Sequence, residues 1–234
     1  MKTTLLVPTL NEIQGMKAIM PQIKREWVSQ ILVVDGGSTD GTVEWAREQG
    51  YEVYIQKETG LRQGFAEGWP FITGDIVITF SPDGNSVPEL VPALIAKMQE
   101  GYDMVIASRY LPPAHSDDDS WLTGFGNWMF TFLINTLHGG HLTDSFVMYR
   151  AYKTALPYDL DIFKEESHRT PERLFHTRIG VEPLLSIRAL KRKLKVGEIP
   201  GDEPPRIGGK AKLQMWKWGA AYLFQVFREV FWWR

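Results

Sequence analysis

The chain has 234 residues, 44% of them hydrophobic, a net charge of −2 at pH 7 and no cysteine. That length suits one domain with a single sizeable core, and no linker, charge block or internal repeat divides it. The near-neutral charge argues against a nucleic-acid binder, which would present a basic surface. The lack of cysteine excludes disulfides and thiolate metal sites.

The first residues, MKTTLLVPTLNE, pass from a short apolar run directly into polar ones, so no signal peptide is expected and cytoplasmic residence is the default. In chain order, β-branched runs predict strands over Thr4–Val7, Ile31–Asp35, Glu52–Ile55, Asp75–Phe80 and Asp103–Ala107. Helical spacing fills the intervals, over Glu12–Trp27, Thr42–Gln49, Gln63–Phe71 and Pro88–Gln99. This alternation predicts an α/β fold, a mainly parallel sheet with helices on both faces. An acidic loop over 112–120 then leads into an apolar stretch, Trp121–Leu137. Gly124, Gly126, Asn127 and Asn135 make that stretch a poor membrane span and a better amphipathic helix. Pro171–Arg192 reads as one helix and Lys195–Ile199 as a strand. A Gly/Pro-rich loop follows through Gly209, and a Trp-rich helix closes the chain.

Ligands of open parallel sheets bind beyond the carboxyl ends of the strands. Three predicted ends carry polar sequence: PTLNE at 8–12, DGGSTDGT at 35–42 and SPDGN at 81–85. A carboxylate there can accept from a base N–H or ribose hydroxyls, and small residues let a nucleotide approach the backbone. Glu12 and Asp35 are the candidates. Taken alone, 35–42 also reads as a tight turn with Ser38 or Asp40 capping the next helix.

Together, VPTLNE at 7–12 and VDGGSTDGT at 34–42 resemble the first two motifs of family-2 glycosyltransferases of the GT-A fold. The likeness is to the polyprenyl-phosphate sugar synthases in particular and runs along nearly the whole chain. The family patterns are V-P-x-Y-N-E and V-D-D-G-S-x-D-G-T. Pro8, Glu12 and Asp35 match, whereas Leu10 stands at the aromatic position and Gly36 at the second aspartate. The resemblance implies a GT-A nucleotide-diphospho-sugar transferase domain over 1–209 and a C-terminal amphipathic helix over 210–234. It implies inverting transfer of a sugar from a GDP- or UDP-linked donor to a polyprenyl phosphate, with Pro8, Glu12, Asp35 and Ser38 on the nucleotide.

Where the family has a D-x-D motif, this chain reads Ser81-Pro82-Asp83. The resemblance makes Asp83 and Asn85 the ligands of a divalent cation, Mg2+ or Mn2+, which prefers oxygen donors and neutralises charge on the departing diphosphate. Asp83 is also an implied catalytic residue, as is Asp144, which lies in a segment resembling D-x-x-S/G-G-F-R. Asp144 would be either a base for a hydroxyl acceptor or a structural, metal-adjacent acid. Ser108-Arg109 resembles the S-R motif that meets the acceptor phosphate, a role suited to a planar guanidinium. Arg206, Lys210 and Lys212 lie in a loop resembling R-x-x-G-x-S-K, which closes over the donor diphosphate. Gly209 or Ala211 replaces the serine of that pattern. Glu182 could match an acidic pair of the family, but reads as a surface helical glutamate. Two alternatives stay open: transfer to a soluble or glycan hydroxyl, and a catalytically silent nucleotide-sugar binder, the latter motivated by Leu10, Gly36 and Ser81.

In the last segment, Leu213, Trp216, Ala220, Leu223, Phe224, Phe227 and Phe231 recur at helical spacing. Lys210, Lys212, Lys217, Arg228 and Arg234 accompany the single acid Glu229. A basic helix rich in Trp and Phe suits the cytoplasmic face of a membrane. It equally suits packing on its own domain or on a second subunit of a homo-oligomer.

Overall fold

A computed structural model describes residues 1–207 and 215–233. Lys210, Lys212 and Leu213 lie outside the described residues. In chain order the elements are β1 (Thr3–Thr9), α1 (Ile13–Ile19), β2 (Gln30–Asp35), α2 (Thr42–Glu48), β3 (Glu52–Ile55) and α3 (Leu61–Gly68). There follow β4 (Ile76–Thr79), α4 (Leu90–Gln99), β5 (Met104–Ser108), α5 (Trp121–His138), β6 (Arg150–Lys153) and α6 (Leu156–Asp159). Then come α7 (Glu165–Phe175), α8 (Glu182–Lys191), β7 (Val196–Pro200) and α9 (Met215–Phe231).

The strands form one seven-stranded sheet in the order β3-β2-β1-β4-β6-β5-β7. All pairings are parallel except those of β6, which runs antiparallel to both β4 and β5. Alternate strand residues feed two cores. Leu5, Val7, Ile31, Val33, Ile78 and Val105 meet α1, α2 and α4 on one face. Leu6, Leu32, Val34, Val77 and Ile106 meet α3 and α8 on the other. Burial on both faces is why these strands read as unbroken β-branched runs.

Three differences from the expected elements have physical causes. Helix α1 stops at Ile19 and gives way to single 3-10 turns at Met20–Gln22 and Arg25–Trp27, because Pro21 has no N–H to continue the ladder. Pro171–Arg192 is two helices: His176 ends α7 in the left-handed region at φ 48°, and Pro183 sits in the first turn of α8, where a missing N–H costs nothing. Strand β6 was not anticipated. It starts with Arg150, 1% exposed, whose guanidinium donates to the carbonyls of Val147 and Glu182 and to the Ser186 hydroxyl.

Helix α9 packs into a third cluster. Ala221, Tyr222 and Val226 meet Phe130 and Ile134 of α5 and Ile187 of α8. Its inward side also carries Glu229, which forms a fully buried ion pair with Arg188 at 2.9 Å. Trp233 is buried too, donating to Asp161 at 3.0 Å and lying under Arg188 and Arg192. The stripe of Trp216, Leu223, Phe227 and Phe231 points outward. Glu182 is buried rather than on the surface, and burial raises its carboxyl above the usual range against the pull of Arg150.

Candidate active site

The first two polar strand ends are stitched into one cradle. Asp35 is fully buried at the end of β2. Its Oδ1 accepts from the backbone N–H of Gly37 and Ser38 at 2.9 and 2.7 Å. Its Oδ2 accepts from the hydroxyls of Thr9 and Ser38 at 2.8 and 2.6 Å. The Ser38 hydroxyl in turn accepts from Asn11 N–H, and Asn11 Oδ1 accepts from Thr39 N–H, both at 2.8 Å. Glu12 precedes α1, and its backbone N–H donates to the Thr42 hydroxyl at 3.1 Å. Pro8 lies within β1, paired with Val34 of β2. A Cβ at Gly36 would lie 3.4 Å from the Leu10 side chain, an ordinary contact.

The third strand end joins this cradle through Gly15. A Cβ there would sit 2.3 Å from the Pro82 carbonyl, so only glycine lets α1 approach the 81–86 loop closely. The loop is stitched in turn to residues 204–207. Asn85 Nδ2 donates to the Pro204 carbonyl at 2.9 Å, and Ile207 N–H donates to the Asp83 carbonyl at 2.6 Å. Arg206 Nη1 lies 3.1 Å from Asp83 Oδ2.

The reversed direction of β6 completes the site. An antiparallel strand starts where its parallel neighbours end, so the 144–149 segment enters the sheet at the carboxyl ends of β4 and β5. Met148 accepts from the Thr79 hydroxyl, and Tyr149 from Ala107 N–H at 3.0 Å. Asp144 thereby meets Arg109. The guanidinium donates through Nε and Nη2 to its two oxygens at 2.6 and 3.1 Å. Asp144 is fully buried and also accepts from the N–H groups of Phe146 and Val147. Burial pushes its carboxyl up, but the Arg109 charge and these hydrogen bonds outweigh that and hold it below the usual range. Arg109 is correspondingly held protonated. Ser108 is buried, its hydroxyl sharing a short hydrogen bond with Thr143 and accepting from Tyr110 N–H at 3.2 Å.

Ser81, Asp83, Asn85, Arg109 and Arg206 line a common cleft of about 150 Å³, together with Glu203. Pro8, Glu12, Asp35, Ser38 and Asp144 stand outside its lining. Two acids that shape this region went unsuspected in the sequence. Glu203 lies 3.2 Å from Arg109 Nη1 and accepts from the Ser116 hydroxyl. Glu198 accepts from the N–H groups of Thr143 and Asp144 at 2.9 and 3.2 Å. Their partners are 94 and 55 positions away, and nothing local to either glutamate marks the contact.

A mainly parallel seven-stranded sheet with one reversed strand and a polar cleft at its carboxyl edge defines the GT-A nucleotide-diphospho-sugar transferase fold. The model for glycosyl transferase family 2 matches residues 4–156, and the chain belongs to that family of enzymes. Among curated relatives, glycosyltransferase AglJ of Haloferax volcanii is 27% identical over 209 residues, covering 88% of this chain. The alignment spans only 64% of that relative's length. Undecaprenyl-phosphate mannosyltransferase of Micrococcus luteus is 28% identical over 244 residues, covering 97% of this chain and 98% of the relative. Among solved structures, glucosyl-3-phosphoglycerate synthase of Mycobacterium tuberculosis with uridine diphosphate superimposes at a TM-score of 0.69 and 18% identity, covering 98% of this chain and 80% of that one. The same protein with Mn2+, uridine diphosphate and glucosyl-3-phosphoglycerate gives 0.66 at 19% identity, covering 98% and 79%.

Proposed function

We propose that the chain moves a sugar from a nucleotide-sugar donor, GDP- or UDP-linked, to a polyprenyl phosphate at a membrane surface, with inversion at the anomeric carbon. The observation that carries this reading is Arg109: a guanidinium locked against buried Asp144 and facing the cleft that holds Asp83 and Arg206. A fixed cation across a small cleft from the diphosphate-binding groups is what an anionic acceptor needs. The relative matched over its full length is named for transfer to undecaprenyl phosphate, which supports the same acceptor class.

In this reading Asp35 and Ser38 fold the nucleoside cradle, with Pro8 and Glu12 on its rim. Arg206, with Lys210 and Lys212, holds the donor diphosphate. A phosphate oxygen of the acceptor attacks the anomeric carbon, the bond from that carbon to the diphosphate breaks, and the nucleoside diphosphate leaves. The acceptor is already anionic, so no base is required. Asp144, lowered and buried, serves as the positioning residue for Arg109, and Ser108 fixes the loop that carries it.

The residues also fit a divalent cation in part. Asn85 Oδ1 is buried without a hydrogen-bond partner among the described residues, and Asp83 is the adjacent carboxylate. No group of three or more His, Cys, Asp or Glu suited to a metal occurs among the described residues. Asp83 and Asn85 would therefore hold Mg2+ or Mn2+ jointly with donor oxygens. The cation, when bound, would neutralise charge on the departing diphosphate.

The test is turnover of GDP- and UDP-sugars carrying labelled sugar, with undecaprenyl phosphate in vesicles. Label should pass into the lipid extract as nucleoside diphosphate appears. Label on a water-soluble acceptor would overturn the reading in favour of a hydroxyl acceptor, and nucleotide binding without release would point to a silent binder.

The surface supports a membrane location. On α5, Trp121, Phe125, Trp128 and Phe132 are all exposed and form a ladder with ring centroids 5.9, 5.7 and 6.0 Å apart. The helix has no Asp, Glu, Lys or Arg. It packs against α9, whose own outward stripe includes Trp216 and Phe231, 84% and 85% exposed. No helix among the described residues is long and apolar enough to cross a membrane. Exposed aromatics on this scale suit headgroup depth. Changing Trp121, Phe125 and Trp128 together to Ser should cut co-sedimentation with anionic vesicles at least about tenfold without altering nucleotide binding. Sedimentation equal to that of the parent chain would remove α5 from the proposed contact.

A further inference from the structure

Arg109 is held from two sides that differ in kind. On the inner side is Asp144, with no exposure and two backbone N–H groups of its own. On the outer side Nη1 donates to both oxygens of Glu203, at 3.3 and 3.2 Å. Glu203 is partly exposed and lines the cleft. It sits on a segment stitched to the 112–119 loop: its N–H donates to the His115 carbonyl at 3.0 Å, and its carbonyl accepts from Asp117 N–H at 2.9 Å. The Ser116 hydroxyl also donates to its carboxylate. The Nη1 edge of Arg109, left open by Asp144, therefore already carries an anion.

Charge makes that occupancy consequential. The cleft is lined by Asp83, Asp202 and Glu203 against Arg109 and Arg206, and Arg206 is itself engaged by Asp83. An incoming anion meets excess negative charge unless one acid moves or takes a proton. Apart from Arg109, Asp144 is anchored by two backbone N–H groups, of Phe146 and Val147, whereas Glu203 has only the Ser116 hydroxyl among the described residues.

We propose that Glu203 determines acceptor specificity by occupying the acceptor-anion position on Arg109, from which an acceptor must displace it. The inference rests on the reading that Arg109 receives an anionic acceptor. A phosphate monoester dianion competes well against a single carboxylate, because its attraction to the guanidinium is about twice as large. A neutral hydroxyl group or a singly charged diester does not. Glu203 thus filters acceptors by charge as Asp144 fixes geometry.

The environment of Glu203 gives this exchange a pH dependence. Burial raises its carboxyl, Arg109 and the Ser116 hydroxyl oppose that, and Asp119 adds to the rise. Other charges nearby are Asp144 behind Arg109, Asp118 against Arg206 at 3.5 Å, and His115 against Asp202 at 3.2 Å. As pH falls through the raised value, Glu203 takes a proton and releases Arg109, whereas Asp144 keeps its charge. Anion affinity at Arg109 therefore rises toward acid pH.

Sulfate is a suitable probe, since it remains a dianion across the range scanned and needs no knowledge of the acceptor. In calorimetry on the intact chain, Glu203→Gln should bind sulfate about tenfold more tightly near neutral pH and lose the rise toward acid. Ser116→Ala should move the same way by less, which covers the case of a poorly folding Gln variant. Arg109→Gln should abolish the site, and His115→Asn should keep the slope. In turnover, Glu203→Gln should lower the acceptor KM by more than it changes kcat and admit weaker anions. Unchanged sulfate affinity in both Glu203→Gln and Ser116→Ala overturns the inference. So does a collapse of kcat at constant KM, which would make Glu203 a base. If the sulfate response appears but no polyprenyl phosphate is a substrate, the polyprenyl part of the proposed function fails, while Arg109 as an anion site and Glu203 as its occupant stand for another phosphate-bearing acceptor.

Discussion

Glu229→Ala is expected to remove about 3–5 kcal/mol of folding stability, the cost of leaving a buried charge without its partner. The charge left behind is Arg188, which has no exposure. Its remaining partners are the carbonyls of Leu160 and Asp161 and the Ser167 hydroxyl, all neutral. A loss of that size is a large share of the ~5–15 kcal/mol typical of a domain. It should appear as a much lower urea midpoint, with the unfolding slope unchanged. Arg188→Met with Glu229→Leu should recover most of the loss, because a buried pair exchanged for apolar groups of similar volume is close to neutral. If Glu229→Ala unfolds at the parent's midpoint, α9 is not pinned by this pair. The same geometry bears on removing the residues after Gly209: the deletion would take away Glu229, Trp233 and a wall of the third core cluster. Substitutions on the outward stripe of α9 are the better probe of membrane contact.

The outward stripe also marks the limit of pattern reading. Helical spacing picked out Leu213, Trp216, Ala220, Leu223, Phe224, Phe227 and Phe231 as the apolar face of the last helix; of these, Trp216, Leu223, Phe227 and Phe231 share the outward face, Ala220 and Phe224 are half-buried, and Leu213 lies outside the described residues. Periodicity fixes which residues travel together, not which way they point. Here the domain took the side that carries Ala221, Tyr222, Val226 and the charged Glu229, because Arg188 supplied the charge's partner. Trp233, lying off the stripe, went into the core. Strands β1, β2, β4 and β5 were legible because residues buried on both faces leave continuous β-branched runs; β3, a half-exposed edge strand, showed only as the short run Val53-Tyr54-Ile55. Strand β6 was not, because Arg150 at its head carries no strand signal and its burial depends on carbonyls that only the folded chain supplies.

The site divides in the same way. Loops that follow a strand announce themselves by a switch from β-branched to polar and turn-forming residues, so the segments at 8–12, 35–42 and 81–85 could be singled out from composition and position. What each side chain does there depends on contacts across long separations. Asp35 looked like an open nucleoside ligand and turns out to be enclosed by four donors. Arg109 could be singled out from the S-R pattern, but its clamp by acids 35 and 94 positions away could not. No local pattern encodes such a pairing.

Asp83→Ala is expected to lower kcat/KM by about a thousandfold or more, the usual consequence of removing a group that stabilises charge on a departing diphosphate. The fold should survive. Among the described residues, the Asp83 side chain accepts from Asn85 N–H, at 3.2 Å, and pairs with Arg206, which is about one-third exposed. The stitch that holds the loop is made by the Asp83 backbone carbonyl and Ile207 N–H at 2.6 Å, which substitution leaves in place. Asp83 is itself buried, but Arg206 is partly open to solvent and also reaches Asp118 at 3.5 Å, so the guanidinium left behind keeps water and an acid, and the melting temperature without ligand should move by only a few degrees, roughly what 1 kcal/mol produces. The informative readout is the thermal shift with donor in the presence and absence of Mn2+. Ligand binding raises stability by mass action, and the metal-dependent part should vanish in Asp83→Ala and shrink in Asn85→Ala, whose Oδ1, without a partner among the described residues, is the proposed neutral ligand. A variant without the Asp83 carboxylate that still responded to Mn2+ as the parent does would move the cation away from this loop. Arg206 would then be left as the main counter-charge for the leaving diphosphate.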